Sequence, residues 1–206
     1  MSQEKKSAAN TIELIDLVRA LNLTRTEKYR MFDHIDFGAK VAGDLAQYAM
    51  QFEDTLSEII ANYFCRPSRK EQFTWLLLRR EGLTFHDKIE LVQSMVPEFT
   101  NASAAAAAQE LKPLLKRVIA FKAKRNAFAH GYDVTPKSME DDPCIHMQIA
   151  RRNGEEKIVE VTVESHRETM CDAWDLLNSL QSVAKRLRAE NSRSANGKEK
   201  TNGHAQ

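Results

Sequence analysis

The residues best suited to chemistry form one short run, Lys124-Arg125-Asn126-Ala127-Phe128-Ala129-His130-Gly131-Tyr132. A guanidinium holds a phosphate through paired N–H donors, and an imidazole gains or loses a proton near neutral pH. If the run is helical, Asn126 and His130 lie about 40° apart around the axis and about 6 Å apart along it. The long side chain of Arg125 can reach the same edge. The set suits phosphodiester chemistry, with Arg125, Asn126 and His130 as candidate catalytic residues.

The stretch that carries this run is strongly basic. No acidic residue occurs between Glu110 and Asp133, whereas six basic residues do: Lys112, Lys116, Arg117, Lys122, Lys124 and Arg125. We call residues 111–132 the basic window. Such a segment is typical of a surface that binds a polyanion, and Lys116, Lys122 and Lys124 are the candidate RNA-binding residues. Acids elsewhere in the fold that balance these charges are the open alternative.

The charge of the whole chain excludes one class of nucleic-acid binder. Its 206 residues include 30 Lys and Arg against 29 Asp and Glu, a formal net charge of +1. That balance excludes a protein that coats nucleic acid by bulk positive charge, but it leaves room for a local basic site.

Several familiar sites are excluded by their missing motifs. The sequence has no Glu-x-x-His pair for a di-iron bundle, no His-Glu-x-x-His zinc motif and no glycine-rich phosphate loop. Cys65, Cys144 and Cys171 lack the spacing of metal ligands and indicate reduced thiols in a cytosolic protein. We therefore predict no metal and no cofactor.

The candidate residues need a helix to hold them, and the sequence predicts one from Lys112 to His130. Pro113 suits the first turn of a helix, and Gly131 stands where helices commonly end. Upstream, amphipathic segments predict a helix over 11–23 and a longer one over 26–65, with a possible break near Asp36. The longer helix carries a nearly heptad apolar stripe of Phe37, Val41, Leu45, Tyr48, Phe52, Leu56, Ile59 and Tyr63. This stripe predicts a bundle core, and a seam between two chains is the alternative.

Capping boxes predict the starts of three more helices. They are Ser68 to Glu71, Thr84 to Asp87 and Ser165 to Glu168. Between the basic window and the last helix, apolar residues alternate from Ile145 to Val163 around Asn153-Gly154, a pattern typical of a β-hairpin. Trp75 and Trp174 fall on apolar helical stripes and are predicted to lie in the core.

Together these elements predict one all-α domain, a helical bundle with one β-hairpin inserted before its last helix. The expected organisation is a flexible N-terminus at 1–10, the helical domain at 11–190 with the hairpin at about 145–163, and a disordered tail at 191–206. No uncharged stretch approaches the ~20 apolar residues that span a bilayer. We expect no membrane partner and a cytoplasmic location.

The motif resembles that of the HEPN superfamily, all-helical domains with an Arg, four to six residues, and then a His. Arg125 and His130 fit this pattern within one predicted helix, and Asn126 directly follows the arginine. Tyr132 extends it to Arg-x4-His-x-Tyr, a form seen in HEPN toxins that are paired with nucleotidyltransferase antitoxins. A second match, from Arg79 or Arg80 to His86, crosses Gly82 and is interpreted as chance.

The resemblance implies a metal-independent endoribonuclease that works as a homodimer. His130 would be the general acid or base, Arg125 the phosphate clamp, and Asn126 an orienting or phosphate-binding residue. Cleavage through the 2′-OH of RNA would occur at a composite site where two copies meet. In the toxin branch the tyrosine that corresponds to Tyr132 is modified with AMP, and an antitoxin or regulatory protein is the implied partner in toxin or defence systems.

Two other interpretations stay open. The chain could be a non-catalytic HEPN-like dimeric scaffold, or an RNA- or nucleotide-binding interaction module. It could also be a helical regulator in which Arg125 and His130 only pack against neighbours or cap the helix.

Overall fold

The computed structural model describes residues 25–78, 82–99, 102–135, 143–150 and 154–201. The predicted flexible N-terminus at 1–10 and the predicted helix at 11–23 lie outside these ranges. The main elements in chain order are α1 Arg25–Phe64, α2 Lys70–Phe73, α3 Phe85–Met95, α4 Ala102–His130, β1 Tyr132–Asp133, β2 Cys144–Ala150, β3 Glu156–Thr162 and α5 Val163–Thr201. The fold is an all-α bundle with an inserted hairpin, as the sequence predicts.

The apolar stripe of α1 forms the centre of the bundle. Val41, Leu45, Phe52, Leu56 and Ile59 are buried within this one chain, and the three remaining members of the stripe pack against the same core. The helix is continuous through Asp36, so the possible break does not occur. Because α3, α4 and α5 cover the stripe, it is an intramolecular core rather than a seam between chains.

Two buried polar pairs join α1 to its neighbours. The ammonium group of Lys88, on α3, is 2.6 Å from a carboxylate oxygen of Glu53 and is almost fully buried. The imidazole Nε2 of His166, on α5, is 2.9 Å from a carboxylate oxygen of Asp44. In each pair the basic side chain is buried and the carboxylate is partly exposed, and the two contacts help to fix how α3 and α5 sit on α1.

One of the three predicted capping boxes is confirmed. The Thr84 hydroxyl accepts a hydrogen bond from the backbone N–H of Asp87, and the Asp87 carboxylate accepts one from the backbone N–H of Thr84. The predicted box at Ser68 is wrong. A 3₁₀ turn at Pro67–Arg69 precedes α2, and Arg69, the N-cap residue of α2, makes no side-chain cap bond.

The predicted box at Ser165 is wrong by one turn. The N–H of Ser165 donates to the Thr162 hydroxyl, and the N–H of Thr162 donates to the Ser165 hydroxyl. Thr162, the last residue of β3, therefore caps the helix and Ser165 takes the reciprocal role, so α5 begins directly after β3, at Val163.

Helix α4 begins ten residues before the predicted start at Lys112, since it runs from Ala102 through Pro113. The proline ring is exposed, and Ala104, Ala107 and Ala108 are buried before it. The helix propensity and close packing of the alanine run outweigh the one hydrogen bond that proline removes.

The hairpin is confirmed, and a short third strand joins it. The strand order is β1-β2-β3 and all pairs are antiparallel, with Met147 opposite Val159 and Asp133 opposite Met147. Ile145 and Met147 face the core, where Ile145 meets Gly38 of α1. Gly154 closes the hairpin with a φ of 81°, a conformation that favours glycine.

Both tryptophans lie at the surface, so their predicted place in the core is wrong. Trp75 is 62% exposed because it lies in a π-helical turn, Thr74–Leu78, of which only Leu78 is buried. Trp174 is 57% exposed beside the core stripe of α5, which passes through its buried neighbour Ala173.

The C-terminal helix continues past the predicted domain boundary. Its last buried residue among the described side chains is Leu187, yet the backbone of α5 is helical to Thr201. The structure therefore places helix over most of the segment for which composition predicts a disordered tail. Among the helices that the structure describes, none is long and apolar enough to cross a bilayer.

Gly131 forms the junction between α4 and the sheet, and it should not tolerate a side chain. A Cβ atom there would lie 3.0 Å from the carbonyl oxygen of Gln148 and closer still to that of Ala127. We expect Gly131→Ala to lower the free energy of unfolding by on the order of 1–3 kcal/mol, measured by urea denaturation.

Gly43→Ala is the matched control. Gly43 lies within α1, and nothing lies within 4 Å of an added Cβ. Alanine should raise the stability there by up to about 1 kcal/mol, since it is the better helix former. If both substitutions changed the free energy of unfolding equally, the close approach of Gly131 to β2 would not be what excludes a side chain at position 131.

Candidate functional site

The three candidate catalytic residues lie in the last two turns of α4. Arg125 and Asn126 are half-buried, and His130 is the final helical residue and exposed. One guanidinium nitrogen of Arg125 donates to the Asn126 amide oxygen at 3.0 Å. Asn126 and His130 are one helical turn apart, so both reach the same end of the helix. The amide thus holds the guanidinium, and the imidazole has no hydrogen-bond partner among the residues that the structure describes.

The backbone packs closely against β2 at the point where the chain leaves this helix. The N–H of Gly131 donates to the carbonyl of Ala127 at 2.8 Å, and the glycine lies directly against β2. Gly131 is thus needed for close approach to the strand. Tyr132 follows in β1 with its side chain 76% exposed. A phenol and an imidazole therefore flank one rigid turn at the surface.

The two acids that bound the basic window are both engaged elsewhere. The Glu110 carboxylate accepts two hydrogen bonds from the Arg186 guanidinium on α5, which hold the pKa of Glu110 below its usual value. Asp133 accepts hydrogen bonds from Thr135 and lies 3.6 Å from the imidazole of His34. Among the described residues, neither carboxylate pairs with a basic residue of the window.

The six basic residues of the window make no ion pair within 4 Å in the parts of the chain that the structure describes. They are spread around the helix rather than along one face. Arg117 and Lys124 lie against α5, where they donate to the carbonyl of Asp172 and the hydroxyl of Thr169. Lys122 faces α3, where the hydrogen bonds from Thr84 lower the pKa of Asp87 and the charge of Lys122 adds a minor contribution. Lys112 and Lys116 are exposed one turn apart.

Asp133 ties β1 to both α1 and β2. Thr135 donates to the Asp133 carboxylate through its N–H and its hydroxyl, and the same hydroxyl accepts from the backbone N–H of His146. Burial alone would raise the pKa of Asp133, but the Thr135 hydrogen bonds and the nearby His34 outweigh it and lower the pKa.

Of the second Arg-to-His match, only the histidine lies within the described residues. His86 lies in the first turn of α3, exposed, with its Nε2 3.2 Å from a carboxylate oxygen of Glu90. Arg79 and Arg80 lie outside the described residues. His86 is thus an ordinary surface residue of the first helical turn, as the sequence predicts.

The structure also brings together three residues that the sequence analysis missed. Cys144, His146 and Glu160 each offer a ligand atom, and these atoms all lie within 4.8 Å of one another. The missed signal was Cys-x-His inside an alternating strand, because residues two apart in a strand point to the same face.

Comparisons of this chain with family profiles, curated proteins and solved structures found no match.

The lowered pKa of Asp133 predicts how pH changes the stability of this junction. A carboxyl with a lower pKa in the folded state stabilises the fold above its unfolded value of about 3.9 and loses that contribution as pH falls. Asp133→Asn should therefore cost at most about 1 kcal/mol at pH 7, since half of the side chain is exposed.

The loss of stability should shrink as the pH falls below about 4, because the unfolded chain then takes up a proton at Asp133 before the folded chain does, and it should vanish below the lowered pKa of the folded carboxyl. Urea unfolding at pH 7 and pH 3 measures both values. Asp172→Asn, at an exposed position of α5, is the control. A loss of unfolding free energy in Asp133→Asn that is the same at pH 7 and pH 3 would contradict a stabilising role for the Asp133 charge.

Proposed function

We propose that this protein is a metal-independent endoribonuclease of HEPN type, and the observation that carries the proposal is the unpaired charge of the basic window. Six cations on one helix, without ion-pair partners among the described residues, leave a local positive potential on a chain of nearly neutral net charge. RNA is the polyanion whose backbone offers both phosphates and a 2′-OH for such a site to act on.

The side chains at the end of α4 have the chemistry that strand cleavage requires. A base on one side removes the proton of the 2′-OH, whose oxygen attacks the adjacent phosphorus. The bond from phosphorus to the 5′-oxygen breaks, and an acid supplies a proton to that oxygen. The products carry a 2′,3′-cyclic phosphate and a 5′-OH, so protons and bonds balance without a metal.

We assign His130 as the acid or base and Arg125 as the group that stabilises the charged phosphorane. Asn126 orients the guanidinium through its amide oxygen, and its amide N–H groups remain to donate to a phosphate. Lys116, Lys122 and Lys124 would attract the strand. Arg125 keeps further N–H donors for a phosphate beside the one it gives to Asn126.

One motif supplies one histidine, whereas the reaction needs a base and an acid. A two-fold axis that brings two copies of the helix end together would provide both groups and two arginines. We therefore propose a homodimer with a composite site. Tyr132 supports a place in the toxin branch, because its exposed phenol is accessible for modification with AMP. A toxin or defence role with an antitoxin partner, in the cytoplasm, follows from the same proposal.

The alternative is a non-catalytic, HEPN-like dimeric scaffold or RNA- or nucleotide-binding module. The hydrogen bond from Arg125 to Asn126 favours it in one respect, because it gives both residues a structural task within the helix. This alternative predicts binding of RNA without cleavage.

Cleavage of labelled RNA in EDTA tests the proposal. Wild-type protein should produce 2′,3′-cyclic phosphate ends and should leave all-2′-deoxy strands intact. His130→Ala should slow cleavage by ~100-fold or more, since loss of a positioned acid or base typically costs 10²–10⁴. His86→Ala removes an exposed histidine from the other Arg-to-His match and should retain full activity.

Cleavage that survives His130→Ala, or that acts on the deoxy strand, would contradict the mechanism. RNA that binds but is not cut by wild type would favour the non-catalytic module. Arg125→Ala that only lowers thermal stability, with RNA binding unchanged, would favour a helical regulator.

The basic window also predicts how RNA binding depends on salt. Each phosphate contact with single-stranded RNA contributes about 0.7 to the slope of log affinity against log salt. In the His130→Ala background, Lys122→Gln with Lys124→Gln should reduce that slope by about 1.4, measured by fluorescence anisotropy.

The matched control removes the same charge elsewhere, by Lys157→Gln with Lys185→Gln on β3 and α5. Both lysines are exposed and lie outside the window. This pair should leave the slope unchanged. An equal reduction by both pairs would indicate diffuse attraction rather than a site.

A further inference from the structure

The face of the sheet opposite the core carries a compact group of metal-binding side chains. In the antiparallel register, His146 lies opposite Glu160 and Cys144 lies opposite Thr162. Cys144 and His146 are two residues apart on β2, so all three candidate ligands project from the same face. Ile145 and Met147 take the other face and enter the core.

The distances within this group suit a single cation. The Cys144 Sγ is 3.6 Å from Glu160 Oε1, and the His146 Nε2 is 3.7 Å from Glu160 Oε2. Ligand atoms around tetrahedral zinc lie about 3.3–3.6 Å apart, given bonds of about 2.0–2.3 Å. The two contacts of Glu160 are therefore close to the separation of zinc ligands, and all three ligand atoms lie within 4.8 Å of one another. Glu160 is exposed, so its side chain can adjust its position.

The backbone holds His146 in place, and its imidazole is open to a metal ion. The backbone N–H of His146 donates to the Thr135 hydroxyl, which fixes this position of β2. Its Nδ1 is buried without a hydrogen-bond partner among the described residues, and its Nε2 lies beyond hydrogen-bond distance of Glu160. Nε2, the ring nitrogen that faces Glu160, is therefore the one that can bind a cation.

We propose that Cys144, His146 and Glu160 bind one zinc ion, with a fourth, solvent-accessible position on the side of Glu160. Thiolate, imidazole and carboxylate are together the ligand set that zinc accepts, whereas calcium and magnesium prefer oxygen alone. Three protein ligands and one open position leave room for water or for a group from a partner molecule. The site departs from the sequence-based prediction of no metal.

Electrostatics agree with this assignment. Burial, and then the nearby Glu160 carboxylate, raise the pKa of the Cys144 thiol, whose Sγ donates to Glu160 in this structure. A divalent ion acts in the opposite direction, because it attracts both the thiolate and the carboxylate and favours loss of the thiol proton.

The site lies apart from the proposed ribonuclease residues and does not depend on them. It crosslinks β2 to β3, whereas Arg125 and His130 lie on α4. Of the candidate residues, Tyr132 lies in the same sheet: it is opposite Gln148, on the same face as His146 and two positions along β2. The bound ion would therefore stiffen the sheet beside Tyr132 without entering the cleavage step.

Titration of the full chain with Co²⁺ under reducing conditions tests the site. Cobalt bound to a thiolate shows a charge-transfer band in the near ultraviolet, and the band should saturate at one ion per chain and disappear on addition of Zn²⁺. Cys144→Ser should abolish the band. Cys171→Ser removes an exposed cysteine outside the site and should keep it.

Glu160→Gln provides a variant that folds, because the side chain is exposed and the change is nearly isosteric. It should weaken zinc binding at least tenfold by competition with a fluorescent chelator, with an unchanged circular dichroism spectrum. Zinc should also raise the melting temperature of wild type but not of Glu160→Gln. A cobalt band in Cys144→Ser, loss of the band in Cys171→Ser, or wild-type zinc affinity in Glu160→Gln would overturn the proposal. RNA cleavage in EDTA is measured separately, so failure of either proposal leaves the other standing.

Discussion

The close approach of Gly131 to β2 is the constraint on which the arrangement of the site depends. The carbonyl of Gln148 occupies the space that any side chain at 131 would need, so α4 must end here and the chain must turn into β1. That turn pairs β1 with β2, exposes Tyr132 and directs Asp133 toward α1. The candidate imidazole at the end of α4 is therefore oriented by the sheet as much as by its own helix.

Local patterns predicted the parts of the fold in which one strong preference acts alone. The stripe of α1, the Thr84 cap and the alternation around Asn153-Gly154 each express a single period or hydrogen-bond motif. Predictions were wrong where two preferences compete. Pro113 breaks helices, but the buried alanines before it favour one, and only the tertiary packing decides between them. At Ser165 the chain offered two overlapping caps, and the end of β3 selected Thr162.

The candidate site shows the same division. That Asn126 and His130 share one helix end follows from spacing alone, and the structure has them there. Whether the basic window is neutralised depends on which acids fold against it. Only the structure shows that Glu110 is bound by Arg186 and Asp133 by Thr135. The group of Cys144, His146 and Glu160 depends on the register between two strands, which a residue pattern does not specify to the residue.

The pairing of α1 with α5 has a consequence for the newly made chain. These helices lie at opposite ends of the described sequence, and the Asp44–His166 contact joins them. During synthesis the apolar stripe of α1 leaves the ribosome many residues before Leu177 and Leu180 arrive to cover it. At ~5–20 residues per second, that interval lasts several seconds. The nascent protein must therefore shield α1 in a provisional way, by α3 and α4 or by a chaperone, and it acquires its final core only after α5 has been synthesised.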